Sequence, residues 1–133
     1  MKSCLCCFFI DRCFSGLALD NLNTVIDIGA NVGLFAKYMY SINTKKVILV
    51  EANPYLRDSI ETLLDDDNER SVIYMNPIYG EKTTIPFRFS MENTTIGSNY
   101  FGSDDPNYAQ LTSVIECDTI TLDDILKDNN YER

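Results

Sequence analysis

Residues 24–34, Thr-Val-Ile-Asp-Ile-Gly-Ala-Asn-Val-Gly-Leu (TVIDIGANVGL), decide the fold. Five residues of mainly β-branched, apolar character run straight into Gly29, and a second glycine, Gly33, follows four positions later. A nearly continuous apolar run of this kind is what a strand buried on both faces of a parallel sheet looks like. Gly29 permits a tight turn at the strand's C-terminal end, and Gly33 lets a helix begin close to that strand. Leu34, Phe35, Tyr38, Met39 and Ile42 then recur at spacings of three and four, the period of a helix with one apolar face.

Working outward, the pattern repeats. KVILV (46–50) and VIYM (72–75) are a second and a third buried strand. Between them Asn53 is placed to cap a helix with Pro54 at its first position, where a missing N–H costs nothing. Leu56, Ile60, Leu63 and Leu64 form that helix's apolar face. Asp65-Asp66-Asp67-Asn68 ends it, and reads as a solvated loop because it lacks calcium-loop spacing and a closing Glu. The order strand–helix–strand–helix–strand is the first half of a doubly wound α/β sheet.

After Gly80 the texture changes. Ile85, Phe87 and Phe89 alternate with polar residues, and Ile115 and Cys117 alternate with Val114, Glu116 and Asp118, as in an antiparallel pair. Residues 91–112 between them are polar, with Gly97, Gly102 and Pro106, and read as a long loop. Residues 121–126 (TLDDIL) start a helix capped by Thr121 or a neighbour, with Asp123 and Asp124 where the helix dipole favours them.

Composition narrows the chemistry. The chain has 133 residues, eleven Lys+Arg against twenty Asp+Glu, a net charge of −9, and neither His nor Trp. Without His there is no His-based general base, no Ser/His or Cys/His nucleophile pair and no His-liganded metal. The acidic balance argues against a nucleic-acid surface, which needs clustered cations. Cys4, Cys6, Cys7 and Cys13 crowd the first thirteen residues, while Cys117 stands alone. Their spacing matches no paired zinc pattern, so no metal is expected. The odd count and the lack of a signal peptide favour reduced thiols and a cytoplasmic location. The apolar run 4–10 is too short to span a bilayer. S-acylation of the cluster is one reading. An apolar leading segment with Phe8, Phe9, Phe14, Leu17 and Leu19 is the simpler one. Residues 1–20 are therefore set apart from a domain over 21–133. Asn93-Thr94-Thr95 is a glycosylation sequon in form, relevant only to a secreted chain.

The chemistry concentrates at Asp27-Ile28-Gly29-Ala30-Asn31-Val32-Gly33 and at Glu51, 22 positions after Gly29. A carboxylate ending the second strand suits the two hydroxyls of a ribose. The glycine pattern has one glycine fewer than a dinucleotide loop, and an Asp precedes it, which suits a nucleoside ligand without pyrophosphate. S-adenosylmethionine is such a ligand. Its amino-acid end would meet the loop amides, and Asp27 its ammonium. The plainer alternative is that two glycines and a Glu simply terminate strands.

With VIDIGANVGLFAKY, VILVEANPYLRDSIETLL and TITLDDIL, the chain resembles the FkbM-type family of S-adenosylmethionine-dependent methyltransferases over residues 23–126. The resemblance implies a Rossmann-like class I methyltransferase fold, here as a partial sheet with an added antiparallel hairpin. It implies methylation of hydroxyls on sugars and other small molecules. It places Gly29, Ala30, Asn31 and Gly33 in the cofactor loop, Glu51 on the ribose with Ala52 and Asn53 flanking it, and Asn76 through Ile78 near the adenine. The family continues into a fourth strand carrying Lys-x-Asp-x-Glu-Gly, whereas this sequence stops at Asn129-Asn130-Tyr131-Glu132-Arg133. The acceptor-binding half and the catalytic base are thus expected to lie outside it. The first strand's far edge is expected to invite self-association, or the chain to belong to a longer product. Two alternatives stand beside the methyltransferase: a non-catalytic Rossmann-like binding or regulatory fragment that needs a partner chain, and a nicotinamide-dinucleotide fragment, which the missing glycine disfavours.

Overall fold

The computed structural model describes residues 19, 21–90, 97–98 and 112–131, with 97–98 as backbone. The clustered N-terminal cysteines, the sequon at Asn93 and most of the polar stretch 91–112 lie outside these residues. The chain divides into two compact units, one of Met1–Val50 with Tyr55–Tyr74 and one of Glu51–Pro54 with Met75–Arg133.

The first unit is a parallel sheet with helices between its strands. Its elements are β1 (Thr24–Ile28), α1 (Leu34–Ser41), β2 (Lys46–Val50), α2 (Arg57–Leu64) and β3 (Ser71–Tyr74). The strands lie in the order β1-β2-β3, all parallel, with Ile28 opposite Val50 and Val50 opposite Tyr74. This is the mixed α/β arrangement expected from the alternating pattern. β2 is central, and Val47, Ile48, Leu49 and Val50 are each at most 2% exposed, which is why KVILV carries no polar alternation. α1 buries Ala36, Met39 and Tyr40, and α2 buries Ile60 and Leu64. Each large side chain so buried contributes about 1.5–3 kcal/mol.

Three details differ from the sequence reading. β3 runs over Ser71–Tyr74, one residue earlier at each end than expected, because its pairing with β2 begins at Ser71 opposite Val47. Pro54 opens a 3₁₀ turn (Pro54–Leu56), and the α-helix proper begins only at Arg57, a common way for a helix to start tightly wound. The Asp65–Arg70 segment is wound as a 3₁₀ turn; Asp65 and Asp66 are exposed as expected, while Asp67 is partly buried and held by two cations.

The second unit holds β4 (Thr84–Phe89), β5 (Gly97–Ser98), β6 (Ser113–Asp118) and α3 (Leu122–Asp128). They form an antiparallel sheet in the order β5-β4-β6. The expected hairpin is therefore three-stranded, since the stretch read as a loop contributes β5. β4 and β6 pair from Thr84↔Asp118 to Phe89↔Ser113. The alternation turns Phe87, Phe89 and Cys117 into a buried cluster, with Ala52 and Ile115 packed on it. Among the described residues β5 pairs with Arg88 and Phe89 of β4. α3 is capped as expected. The Thr121 hydroxyl accepts from the Asp124 amide at 3.0 Å, and the Asp124 carboxylate accepts from Thr121 in return, a capping box.

Candidate functional site

Asp27, Gly29, Ala30, Asn31 and Gly33 come together in one turn at the C-terminal end of β1. In open α/β sheets that end carries the ligand. The turn needs left-handed backbone. Gly29 has φ +80° and Gly33 φ +85°, and Asn31 between them has φ 52°, a conformation Asn tolerates better than most residues. The two glycines differ in surroundings. A Cβ on Gly33 would lie in ordinary contact with Ile60 Cγ2 at 3.5 Å and Leu49 Cδ2 at 3.7 Å, so the left-handed backbone is what favours glycine there. A Cβ on Gly29 would meet nothing within 4 Å, so Gly29 borders open space.

The turn amides are not all available to a ligand. The N–H groups of Gly29 and Ala30 both donate to Val50 O, at 2.8 and 3.1 Å, and Gly33 N donates to Ala30 O at 2.8 Å. Expected as ligand donors, they instead lock the turn to the last residue of β2. Asp27 is 9% exposed and Ala30 4%. Asp27 and Asn31 both have interaction partners, yet the individual atoms Asp27 Oδ2 and Asn31 Oδ1 are buried and receive no hydrogen bond among the described residues.

Glu51, Ala52 and Asn53 fall in the second unit. Glu51 is 9% exposed, and its Oε1 accepts from the Asn53 amide at 2.8 Å, which fixes the carboxylate over its own backbone. Ala52 offers its carbonyl to the Cys117 thiol at 3.9 Å. Asn76 and Ile78, expected near an adenine, have structural duties. Asn76 Nδ2 donates to Asp118 O at 3.0 Å, and Ile78 forms a parallel bridge with Ile120. Tyr79 N donates to Ile120 O and Ile120 N to Pro77 O, both at 3.0 Å.

Sequence reasoning missed a polar clasp at the other end of the parallel sheet. Lys37 on α1 donates to Asp67 Oδ2 at 2.8 Å and to Leu64 O at 3.1 Å. Arg70 donates to Asp67 Oδ1 and to Thr44 O, and its guanidinium stacks 4.1 Å from the Tyr40 ring centroid. The Tyr40 hydroxyl accepts from Val47 N at 3.0 Å and reaches Arg70 O and Ser71 Oγ. Burial opposes ionisation of Asp67, but Lys37 and Arg70 outweigh it and hold the carboxyl below its ordinary value. The contacts that join Lys37, Tyr40 and Thr44 to residues 64–71 span 26–31 positions, beyond the reach of local patterns. A cavity of about 350 Å³ beside them is lined by Arg57, Glu61, Asn68, Ser71 and Ile73 and includes none of the expected site residues. Arg57 and Glu61 pair with each other at 2.9 Å, so the cavity presents no unbalanced charge.

Among the described residues no group of His, Cys, Asp and Glu is arranged to hold a metal ion, and no helix is long and apolar enough to cross a membrane. The chain matches no family model and no curated protein. Among solved structures it is similar to a Pyrococcus horikoshii protein described as a "putative RNA methyltransferase". The two are 17% identical over 53% of this chain and 33% of that one, with a TM-score of 0.43. The match thus spans about a third of the length of that structure.

Proposed function

We propose that the chain is the cofactor-binding portion of an S-adenosylmethionine-dependent methyltransferase that acts on a hydroxyl of a small molecule or sugar. The observation that carries this reading is the turn after β1. Two left-handed glycines bracket it, Gly29 borders open space, and the buried acid Asp27 precedes it. The resemblance of residues 23–126 to the FkbM-type family supports the same reading.

In this proposal Asp27 and the turn Gly29-Ala30-Asn31-Gly33 take the amino-acid end of the cofactor. Glu51 takes the ribose hydroxyls, with Ala52 and Asn53 beside it. The Asn53 amide on Glu51 Oε1 sets the carboxylate's orientation before any ligand arrives, which lowers the ordering cost of binding. Asn76 and Ile78 keep a place near the adenine only through the chain that carries them. When bound, S-adenosylmethionine supplies an electrophilic methyl on a sulfonium. The chain's residues hold and orient it, and the acceptor's proton needs a base that no residue here is assigned to provide.

Calorimetric titration with S-adenosylmethionine, S-adenosylhomocysteine and NAD, on the wild type and on Glu51→Gln, tests this. Saturable binding of the first two, weakened in the variant, is the expected result. Binding of NAD alone would overturn it. Binding of S-adenosylmethionine without transfer to any hydroxyl acceptor would favour a non-catalytic binding module.

A further inference from the structure

Four residues leave the parallel unit and return to it. Val50 ends β2 in the first unit, Glu51–Pro54 belong to the second, and Tyr55 rejoins the first. The second unit meets this segment with one face of its antiparallel sheet. Phe87 and Phe89 on β4 and Cys117 on β6 form a buried cluster there, with Ile115 packed beside them. The register sets Ile115 opposite Phe87 and Cys117 opposite Ile85, so strand alternation puts these side chains on a common face. Ala52 packs on the cluster, and its carbonyl accepts from the Cys117 thiol at 3.9 Å, across 65 positions of sequence.

The face is braced at its end. Thr119, just past β6, is buried, and its hydroxyl accepts from Thr83 N at 2.8 Å and donates to Glu81 O at 2.7 Å. The Thr119 amide donates to Thr83 O at 2.8 Å. The residues on either side of Ala52 are polar yet buried, Glu51 and Asn53, and the Asn53 amide holds Glu51 Oε1 at 2.8 Å. That bond orients the carboxylate within its own segment. The contacts of Ala52 fix the segment to the sheet.

Resting on the reading above that Glu51 takes the ribose hydroxyls, we propose that the Phe87–Phe89–Cys117 face sets the position of Glu51, with Cys117 as a positioning residue that acts through Ala52. Cysteine suits the place. It is a small apolar group with a weak S–H donor, and it touches the Ala52 carbonyl without pushing the chain away. A longer side chain would lift Ala52, and the carboxylate one residue away would move with it. A shift of about 1 Å takes a hydrogen bond out of its working range. The antiparallel sheet thereby governs how strictly the ribose is read.

The test is calorimetric titration of the full chain with S-adenosylhomocysteine and with its 2′-deoxy analogue, on the wild type, Cys117→Ser, Cys117→Met and Phe87→Leu. The wild type should bind the parent about tenfold more tightly than the analogue, the effect of one hydrogen bond to a charged group. Cys117→Ser keeps the size and the donor, and should keep that preference. Cys117→Met presses on Ala52, and Phe87→Leu hollows the face beneath it, a milder change that should fold. Both should reduce the preference to about twofold or less, because the Glu51 hydrogen bond is lost while the remaining contacts stay. The ratio of the two affinities cancels any loss of folded protein, so a merely structural role leaves it at the wild-type value. In a Glu51→Gln background, Phe87→Leu should change the ratio no further. An unchanged ratio in Phe87→Leu and in folded Cys117→Met would overturn the proposal while leaving the methyltransferase reading intact. If S-adenosylhomocysteine fails to bind the wild type, the methyltransferase reading falls and this proposal with it. If it binds with no preference over the analogue, Glu51 does not read the ribose, and the positioning role falls.

Discussion

Lys37 and Asp67 meet at 2.8 Å across 30 positions of sequence, joining the middle of α1 to the turn before β3. Arg70 grips the other oxygen of the same carboxylate, at 2.6 Å through Nη2. Asp67 is 16% exposed and its partners 43% each, so the charges are only partly screened. Asp67→Asn should cost about 1–2 kcal/mol near neutral pH, between an exposed ion pair and a charged hydrogen bond. The pH dependence has a definite sign. The folded carboxyl titrates below its ordinary value near 3.8. Its contribution is therefore complete above that value and is lost as pH falls through the lower folded one. Urea unfolding of wild type and Asp67→Asn should differ at neutral pH and converge in strong acid. A gap that persists unchanged into acid would contradict this account.

Tyr40→Phe keeps the ring beneath Arg70 but removes a hydroxyl that satisfies the Val47 amide. Tyr40 is 6% exposed, so that amide would be left buried without its acceptor. The expected loss is about 1–3 kcal/mol, the desolvation penalty of one buried donor. Thermal unfolding measures it. Amide exchange at Val47 should accelerate more than at Ile48.

These contacts mark where sequence reading ends. The strands β1 to β4 and β6, the helical face from Leu34 to Ile42 and the Thr121 cap were legible because each depends on neighbours within a turn or a strand. The clasp was not, because Lys37, Tyr40, Asp67 and Arg70 are brought together by the sheet and not by spacing. Asp65-Asp66-Asp67-Asn68 looked solvated for that reason. The site was legible in part. The left-handed Gly29 and Gly33 follow from the need for a tight turn and a close helix. The commitment of the Gly29 and Ala30 amides to Val50 O depends on strand pairing, and it turns the expected ligand donors into a brace. β5 escaped notice because two residues, one of them Gly97, carry no pattern.

Cys117 should behave as an inert thiol. Burial first, then the charges of Asp118 and Glu116, push it above its ordinary range, and the thiolate is the reactive form. Peptide-mapped alkylation by iodoacetamide at mildly alkaline pH should be at least about tenfold slower in the native chain than in urea. Equal rates in both conditions would mean that the Phe87, Phe89 and Cys117 cluster opens readily.

The two glycines of the turn should separate folding from binding. Alanine at either position must adopt left-handed backbone, at a cost of about 1–2 kcal/mol. At Gly33 the added methyl would lie in ordinary van der Waals contact with Ile60 at 3.5 Å, so Gly33→Ala should lose about the backbone term alone. At Gly29 the methyl enters open space, so the folding cost stops at the backbone term. That space is where the proposed cofactor's amino-acid end would lie. Gly29→Ala should therefore weaken S-adenosylmethionine binding more than its stability loss accounts for, while Gly33→Ala should reduce binding only in proportion to the folded fraction. Paired urea unfolding and calorimetric titration give both quantities. If the two variants lose binding only in step with stability, the space above Gly29 is not where the ligand sits.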